Sequence, residues 1–357
     1  KRSMSRISSM EVRRPVPQEK GSIGPGGLRF LEEMDDTDRK MLVLIAANPR
    51  IHIRELAGKL GVSRQAVHNR MRALAKTGVL KGTTAEISVP YLDAIPVAVF
   101  GGSSAALTED VFDKLGESEF TRRAVIAGGN YLYVNGELRA ISDLDGYVEF
   151  VKRAGRLSDP TVGIYSTDEE LMPNYPVDGG GRQRRSDKEL TPLDLRIISS
   201  LKGDARKPIA ALAKEVGASA KTVKRHLNTM MSEGSLDLHV LADSPSGGDM
   251  LFALHVNLKD GCDKSEVGRR LLSRYKPLDS YIRTFSNLPG LLLAVVWSDT
   301  VPEIRRVFRE TYHDEGVTSV MLNFCYFERL YGTWRDRLPS PGSPLRKPVG
   351  RSVRVRR

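Results

Sequence analysis

Shifted by 156 residues, the chain aligns on itself: positions 38–80 fall on 194–236 without a gap, and ten of the 43 pairs are identical. The identities are Asp38/Asp194, Arg50/Arg206, Ile53/Ile209, Leu56/Leu212, Ala57/Ala213, Gly61/Gly217, Ser63/Ser219, Val67/Val223, Gly78/Gly234 and Leu80/Leu236. Most mismatched apolar positions stay apolar, as in Met41/Ile197, Ile45/Leu201 and Met71/Leu227. A tandem duplication constrains the fold more than any single motif does, because whatever one copy builds must be built twice.

Each copy opens with three helical periods. Met41, Leu42 and Ile45 give the apolar face of a first helix, and the acids at 35, 36 and 38 suit its N-terminus. A second helix over about residues 54–60 closes at Gly61, and a third begins at Ser63 as N-cap. Two short helices joined by Gly-Val-Ser predict a helix-turn-helix. In the third helix Val67, Met71 and Leu74 recur at i, i+4 and i+7 and turn inward, as do Val223, Leu227 and Met230 in the second copy.

That periodicity sends Arg64, Gln65, His68, Asn69 and Arg72 outward in the first copy and Ala220, Lys221, Lys224, Arg225 and Asn228 in the second. Neither outward face carries an acid. Arg and Lys suit guanine edges and phosphates, Asn and Gln suit adenine, so these polar residues, with Ser63 and Ser219, are the candidate DNA contacts. A solvated basic face is the plainer reading of one such helix; two at equivalent positions behind the same Gly-x-Ser turn favour recognition. Gly78-Val79-Leu80 and Gly234-Ser235-Leu236 end these helices and lead into an expected wing strand.

Past each helical unit the period drops from 3.6 to 2. Strands are expected at 95–100, 121–127, 131–136 and 161–165 in the first copy, and at 251–256, 281–285, 291–298 and 319–327 in the second. Helical stretches at about 108–116 and 141–154, and at 264–275 and 301–312, complete a βαββαβ order, the ferredoxin-like arrangement with helices on one face of an antiparallel sheet. The other sheet face is apolar and needs a cover, most naturally a second such sheet. The expected class is therefore α+β: two copies of a (winged) helix-turn-helix domain followed by a ferredoxin-like βαββαβ domain.

The order Glu55-Leu56-Ala57, Leu60-Gly61-Val62-Ser63, Val67, Arg70, Leu74 and Gly78-Val79-Leu80, followed by βαββαβ and by Ala127-Gly128-Gly129-Asn130-Tyr131-Leu132, resembles the Lrp/AsnC (feast/famine) transcription regulators. With both copies counted, the resemblance covers about residues 31–335. It implies a helix-turn-helix that binds double-stranded DNA, a βαββαβ module that forms homo-oligomers by sheet packing, and an amino acid or other small-molecule effector near the loop between the second and third βαββαβ elements' strands. Carried over by position, the effector residues would be Gly128, Gly129, Asn130 and Tyr131; the family's usual Asp is Asn130 here, and the second copy has Leu288-Pro289-Gly290 at the aligned place. Two copies in one chain also allow an intramolecular pseudo-dimer with two non-identical recognition helices.

The formal charge of +11 is unevenly placed. Residues 1–30 hold seven basic and two acidic residues and 336–357 hold seven and one, leaving 31–335 with 41 of each. A uniformly basic globule is excluded; the termini supply sequence-independent phosphate attraction, and the body concentrates its bases on two helices. The boundaries expected are an N-terminal basic disordered extension 1–33, helix-turn-helix domains 34–90 and 190–246, βαββαβ domains 91–167 and 247–335, a flexible linker 168–189 containing Gly179-Gly180-Gly181, and a basic disordered tail 336–357.

Other function classes find little support. The longest apolar run, 291–297, is far short of the roughly 18 residues of a membrane span. Two cysteines, Cys262 and Cys325, and six scattered histidines form no metal-ligand or catalytic spacing, so neither metal, cofactor nor catalysis is expected. The expected compartment is the reducing cytoplasm, in association with the nucleoid. Two alternatives stay open: an architectural nucleoid protein, and a sirohaem decarboxylase-like enzyme built on the same modules.

Overall fold

The computed structural model describes residues 35–106, 109–166, 189–242, 250–275, 280–298 and 300–338. The expected N-terminal extension, nearly all of the linker and the chain beyond 338 lie outside the described residues. The first copy runs α1 (Asp36–Ala47), α2 (Ile53–Leu60), α3 (Arg64–Lys76), β1 (Leu80–Ile87), β2 (Ile95–Gly102), α4 (Glu109–Leu115), β3 (Thr121–Ala127), β4 (Tyr131–Leu138), α5 (Leu144–Gly155) and β5 (Thr161–Ile164). The second repeats it with α6 (Pro192–Leu201), α7 (Ile209–Val216), α8 (Ala220–Ser232), β6 (Leu236–Ala242), β7 (Met250–Leu258), α9 (Lys264–Arg274), β8 (Ser280–Thr284), β9 (Leu291–Ser298), α10 (Val301–Tyr312) and β10 (Val317–Leu330). The α+β class and the doubled order read from the sequence are what the chain adopts.

The two helical heads are interlocked. The strand after each recognition helix does not fold back as a hairpin wing; β1 pairs antiparallel with β6 of the other copy, from Ile87↔Leu236 to Gly82↔Leu241. Thr83 faces Val240 and Thr84 faces His239, so a local two-fold passes through the middle of the ribbon. The strands are also exchanged in packing. Ala85 and Ile87 enter the core of the second head beside Ile197, Leu212, Val223 and Leu227, while Val240 packs against the core of the first, Met41, Ile45, Leu56 and Val67. Each fully buried aliphatic side chain stabilises by roughly 1.5–3 kcal/mol, so separating the heads would expose apolar surface on both.

Below the heads, each βαββαβ unit has the ferredoxin-like strand order, and the two join edge to edge as one eight-stranded sheet, β5-β2-β4-β3-β10-β7-β9-β8. The joint is β3 against β10, from Ala127↔Cys325 to Arg123↔Leu330. It explains why β10 runs 14 residues, well past the expected 319–327, while β5 has four: β10 serves β7 on one side and β3 on the other. The sheet curls until its outer strands meet at Tyr165↔Phe285. Ser166 N donates to Thr284 O at 3.0 Å and Ser286 N to Ile164 O at 2.8 Å. The Asn287 side chain extends this seam, accepting from Ile164 N and donating to Val162 O, both at 2.8 Å.

The sheet packing expected between chains is thus satisfied inside one chain. Ala98, Phe100, Val125 and Ala127 of the first copy face Leu251, Ala253, Phe285 and Leu293 of the second within the curl. Among them lies a buried polar group shared by both copies: Tyr133 Oη sits 2.7 Å from His255 Nε2, and Asn323 Nδ2 donates to Tyr133 Oη at 2.6 Å. The helices cover the outer faces.

The boundary expected at 336 needs correction. A 3-10 turn, Trp334–Arg337, follows β10, and Leu338 packs against the core of the second head. Arg335, 3% exposed, pairs with Glu86 at 3.0 Å and Glu137 at 2.6 Å. Lys202 donates to Leu338 O at 2.8 Å and also to Asp336 O. Two buried carboxylates demand a cation there, which is why residues 336–338 are held down rather than belonging to a tail.

Candidate nucleic-acid interface

Both recognition helices are set by the same local chemistry. Gly61 and Gly217 take left-handed φ of 67°, which lets the chain reverse between the two helices of each motif. Ser63 Oγ accepts from Ala66 N at 3.1 Å, and Ser219 Oγ accepts from Thr222 N at 3.1 Å and lies 2.9 Å from Thr222 Oγ1, so both serines cap their helices. Val67 and Leu74 are buried in α3; Val223, Leu227 and Met230 are buried in α8.

Every other sequence-selected DNA contact is exposed: Arg64, Gln65, His68, Asn69 and Arg72 on α3, and Lys221, Lys224, Arg225 and Asn228 on α8. Gln65 Nε2 donates to Asn69 Oδ1 at 3.0 Å, aligning two amides one turn apart. Arg70, also on α3, points elsewhere: its guanidinium meets Asp35 at 2.7 Å and Asp38 at 2.9 Å at the start of α1. The matching position in α8 is His226, whose Nδ1 lies 2.7 Å from Asp194 Oδ1. The shared Asp38/Asp194 therefore anchors each recognition helix to the first helix of its head.

Two residues that matter to the interface were visible only as identities. Arg50 donates to Lys207 O at 3.0 Å and to Ala205 O. Arg206 donates to Pro49 O at 2.6 Å and to Ile51 O at 2.9 Å. These contacts exchange under the 156-residue shift. An arginine preserved in both copies at a turn, where neither core nor cap requires it, was the available signal.

Gly128, Gly129, Asn130 and Tyr131 sit at the joint between copies. Gly129 and Asn130 have φ of 68° and 59°, and Asn130 Nδ2 donates to Ser103 O at 2.5 Å and Ala105 O at 2.6 Å. Tyr131 turns toward the interior, its ring 5.6 Å from that of His255. A Cβ on Gly128 would lie 4.0 Å from Phe324 O of β10. The structure brings Gly128, Gly129, Asn130 and Tyr131 together, far in sequence from the DNA candidates on α3 and α8.

A family model for winged helix-turn-helix DNA-binding domains matches residues 34–81 and again 190–234. The HTH-type transcriptional regulator LrpA of Pyrococcus horikoshii is 30% identical over 100 residues, 28% of this chain and 71% of that protein. The chain belongs to the Lrp/AsnC family. As an Lrp/AsnC protein it is a DNA-binding regulator. The proline dehydrogenase transcriptional activator of Rhodobacter capsulatus is 41% identical over 64 residues, 18% of this chain and 42% of that one. Among solved structures, the sirohaem decarboxylase NirDL covers 84% of this Lrp/AsnC chain and 94% of its own, with a TM-score of 0.56 at 15% identity. At that identity the likeness is one of fold.

Proposed function

We propose that this chain is a sequence-specific regulator of transcription in which a single chain presents two non-identical recognition helices to one double-stranded operator. The observation that carries this reading is the reciprocal locking of the heads through Arg50 and Arg206 and the β1–β6 ribbon, with acid-free, exposed faces on α3 and α8. The basic termini add phosphate attraction and work in the cytoplasm at the nucleoid. No catalysis and no cofactor is assigned. Because sheet packing is used up within the chain, a homo-oligomer would have to use other surfaces, such as the exposed Leu322, Phe324 and Tyr326 of β10.

Gly128, Gly129, Asn130 and Tyr131 would border a small-molecule effector site, an amino acid being the ligand the family suggests. Its occupancy would act on the joint between copies, since Tyr131 packs on His255 and Gly128 lies against β10. Amino acids screened against the melting transition of the full chain test this: a ligand whose stabilisation disappears in Asn130→Ala supports it, and no stabilisation by any of them removes the assignment.

Fluorescence anisotropy with genomic DNA fragments tests the main reading. Retention of one fragment against excess random duplex, lost in Arg64→Ala/Arg72→Ala and Lys221→Ala/Arg225→Ala, supports it. Equal affinity for all duplexes would favour the architectural alternative, and a visible absorbance band on adding a sirohaem-type tetrapyrrole, without DNA binding, would favour the enzyme.

A further inference from the structure

We infer that the operator is non-palindromic and is bound in one fixed direction, with adenine read by α3 in one half and guanine read by α8 in the other. The inference rests on the DNA-binding reading above and concerns what each helix recognises.

The framework of the two heads is shared and the reading face is not. Caps Ser63/Ser219, turns Gly61/Gly217 and the inward Val67/Val223 are identical, so the same helix position meets the same place in the groove. At all five outward positions the residue changes: Arg64/Ala220, Gln65/Lys221, His68/Lys224, Asn69/Arg225 and Arg72/Asn228. The two-fold that relates the heads is thus obeyed by the backbone and broken by the side chains that would touch bases. Half-site symmetry follows protein symmetry, so an unsymmetrical face selects an unsymmetrical site.

The chemistry of each half follows from donors and acceptors. With Gln65 Nε2 donating to Asn69 Oδ1, Gln65 keeps its carbonyl oxygen and one N–H free, held by the second amide. That pair complements adenine, which offers N6–H as donor and N7 as acceptor. Positions 65 and 69 become Lys221 and Arg225 in α8, both donors without acceptors. They match the two acceptors of guanine, O6 and N7, and are mismatched to the N6–H of adenine. Because the heads are locked within one chain, each complex contains one α3 and one α8. The chain therefore lies on its operator with a defined front and back, which a dimer of identical heads cannot do.

Selection of binding sites from a random duplex pool by the full chain tests this. The expected product is a motif with unlike halves, in which replacing the adenine lowers affinity roughly tenfold to a hundredfold. Gln65→Lys/Asn69→Arg should replace the adenine of the first half by guanine and make the halves alike at that base; Lys221→Gln/Arg225→Asn should convert the other way, and a melting curve reports that each variant is folded. A palindromic motif from the unaltered chain, or an unchanged motif from both folded variants, overturns the inference while leaving sequence-specific binding intact. Failure to enrich any motif overturns the sequence-specific reading as well.

Discussion

Arg50 and Arg206 stand 156 residues apart in sequence and make the same contact in opposite directions, each guanidinium donating to two backbone carbonyls on the turn that carries the other. Burial lowers both guanidinium pKa values from the ordinary one, and the charge of Arg206 lowers that of Arg50 further, while Asp204 offsets part of this and four carbonyls receive the two charges. Hydrogen bonds from charged donors are worth roughly 1.5–3 kcal/mol each. Arg206→Ala should lower stability by about that amount and weaken operator binding several-fold, because the spacing of the recognition helices is no longer fixed in advance. Arg50→Ala should match it, and the double variant should cost less than the sum. Denaturant titration with the corresponding anisotropy checks all three.

Arg335 holds together the wing strand, the first βαββαβ unit and the end of the described chain. Burial alone would raise the Glu86 carboxyl, but Arg122, Arg335 and His239 hold it below the ordinary carboxylate range. Removing one partner of a buried pair costs roughly 3–5 kcal/mol, so Arg335→Met should be among the most destabilising single changes. A depressed carboxylate contributes stability above its unfolded value and loses it as pH falls through the folded one. Acid melts of Glu86→Gln should accordingly lose less stability below about pH 4 than the unaltered protein.

His255 acts in a different window. Burial among Phe100, Tyr131 and Tyr133 pushes its imidazole down to about 4. The folded protein keeps this ring neutral, so its contribution is complete above the ordinary histidine value near 6.5 and is lost as pH falls toward 4. The full effect is about 3 kcal/mol at the acid end. His255→Gln, which can still meet Tyr133 Oη, should flatten the melting temperature between pH 6.5 and 4; an unchanged slope would place the acid sensitivity elsewhere.

Gly163 marks the closure of the sheet. A Cβ there would lie 2.3 Å from Cδ1 of Phe285, the residue that bridges to Tyr165 across the outer seam. Gly163→Ala should cost roughly 1–3 kcal/mol by overpacking, and Gly163→Ala combined with Phe285→Leu should recover part of it. Thermal melts of the two variants measure the seam directly.

The repeat made much of this legible. Ser63, Gly61 and Val67 announced a helix-turn-helix because caps, turns and inward positions are local properties, and the period of two located all eight strands of the sheet. What stayed hidden depends on contacts between copies. In the sequence Arg50 and Arg206 are identities without a role, since their acceptors are carbonyls that any sequence supplies. The pairing of β1 with β6 looked like two separate wings, for a lone strand does not say which partner it takes. Residues 336–338 read as charged tail because the buried Glu86 and Glu137 that hold Arg335 are distant in sequence. On α3, the periodicity left Arg70 out of the outward set but could not name its partners, Asp35 and Asp38, which lie more than thirty residues earlier.

Hydroxyl-radical footprinting of a selected site shows whether one chain supplies both recognition helices to one operator. The unaltered chain should protect two groove segments on one face of the duplex. Arg64→Ala/Arg72→Ala should erase one segment and Lys221→Ala/Arg225→Ala the other, with the remaining segment still protected at higher protein concentration. Footprints unchanged in both variants, or both segments lost together from either one while the fold is intact, would contradict that arrangement.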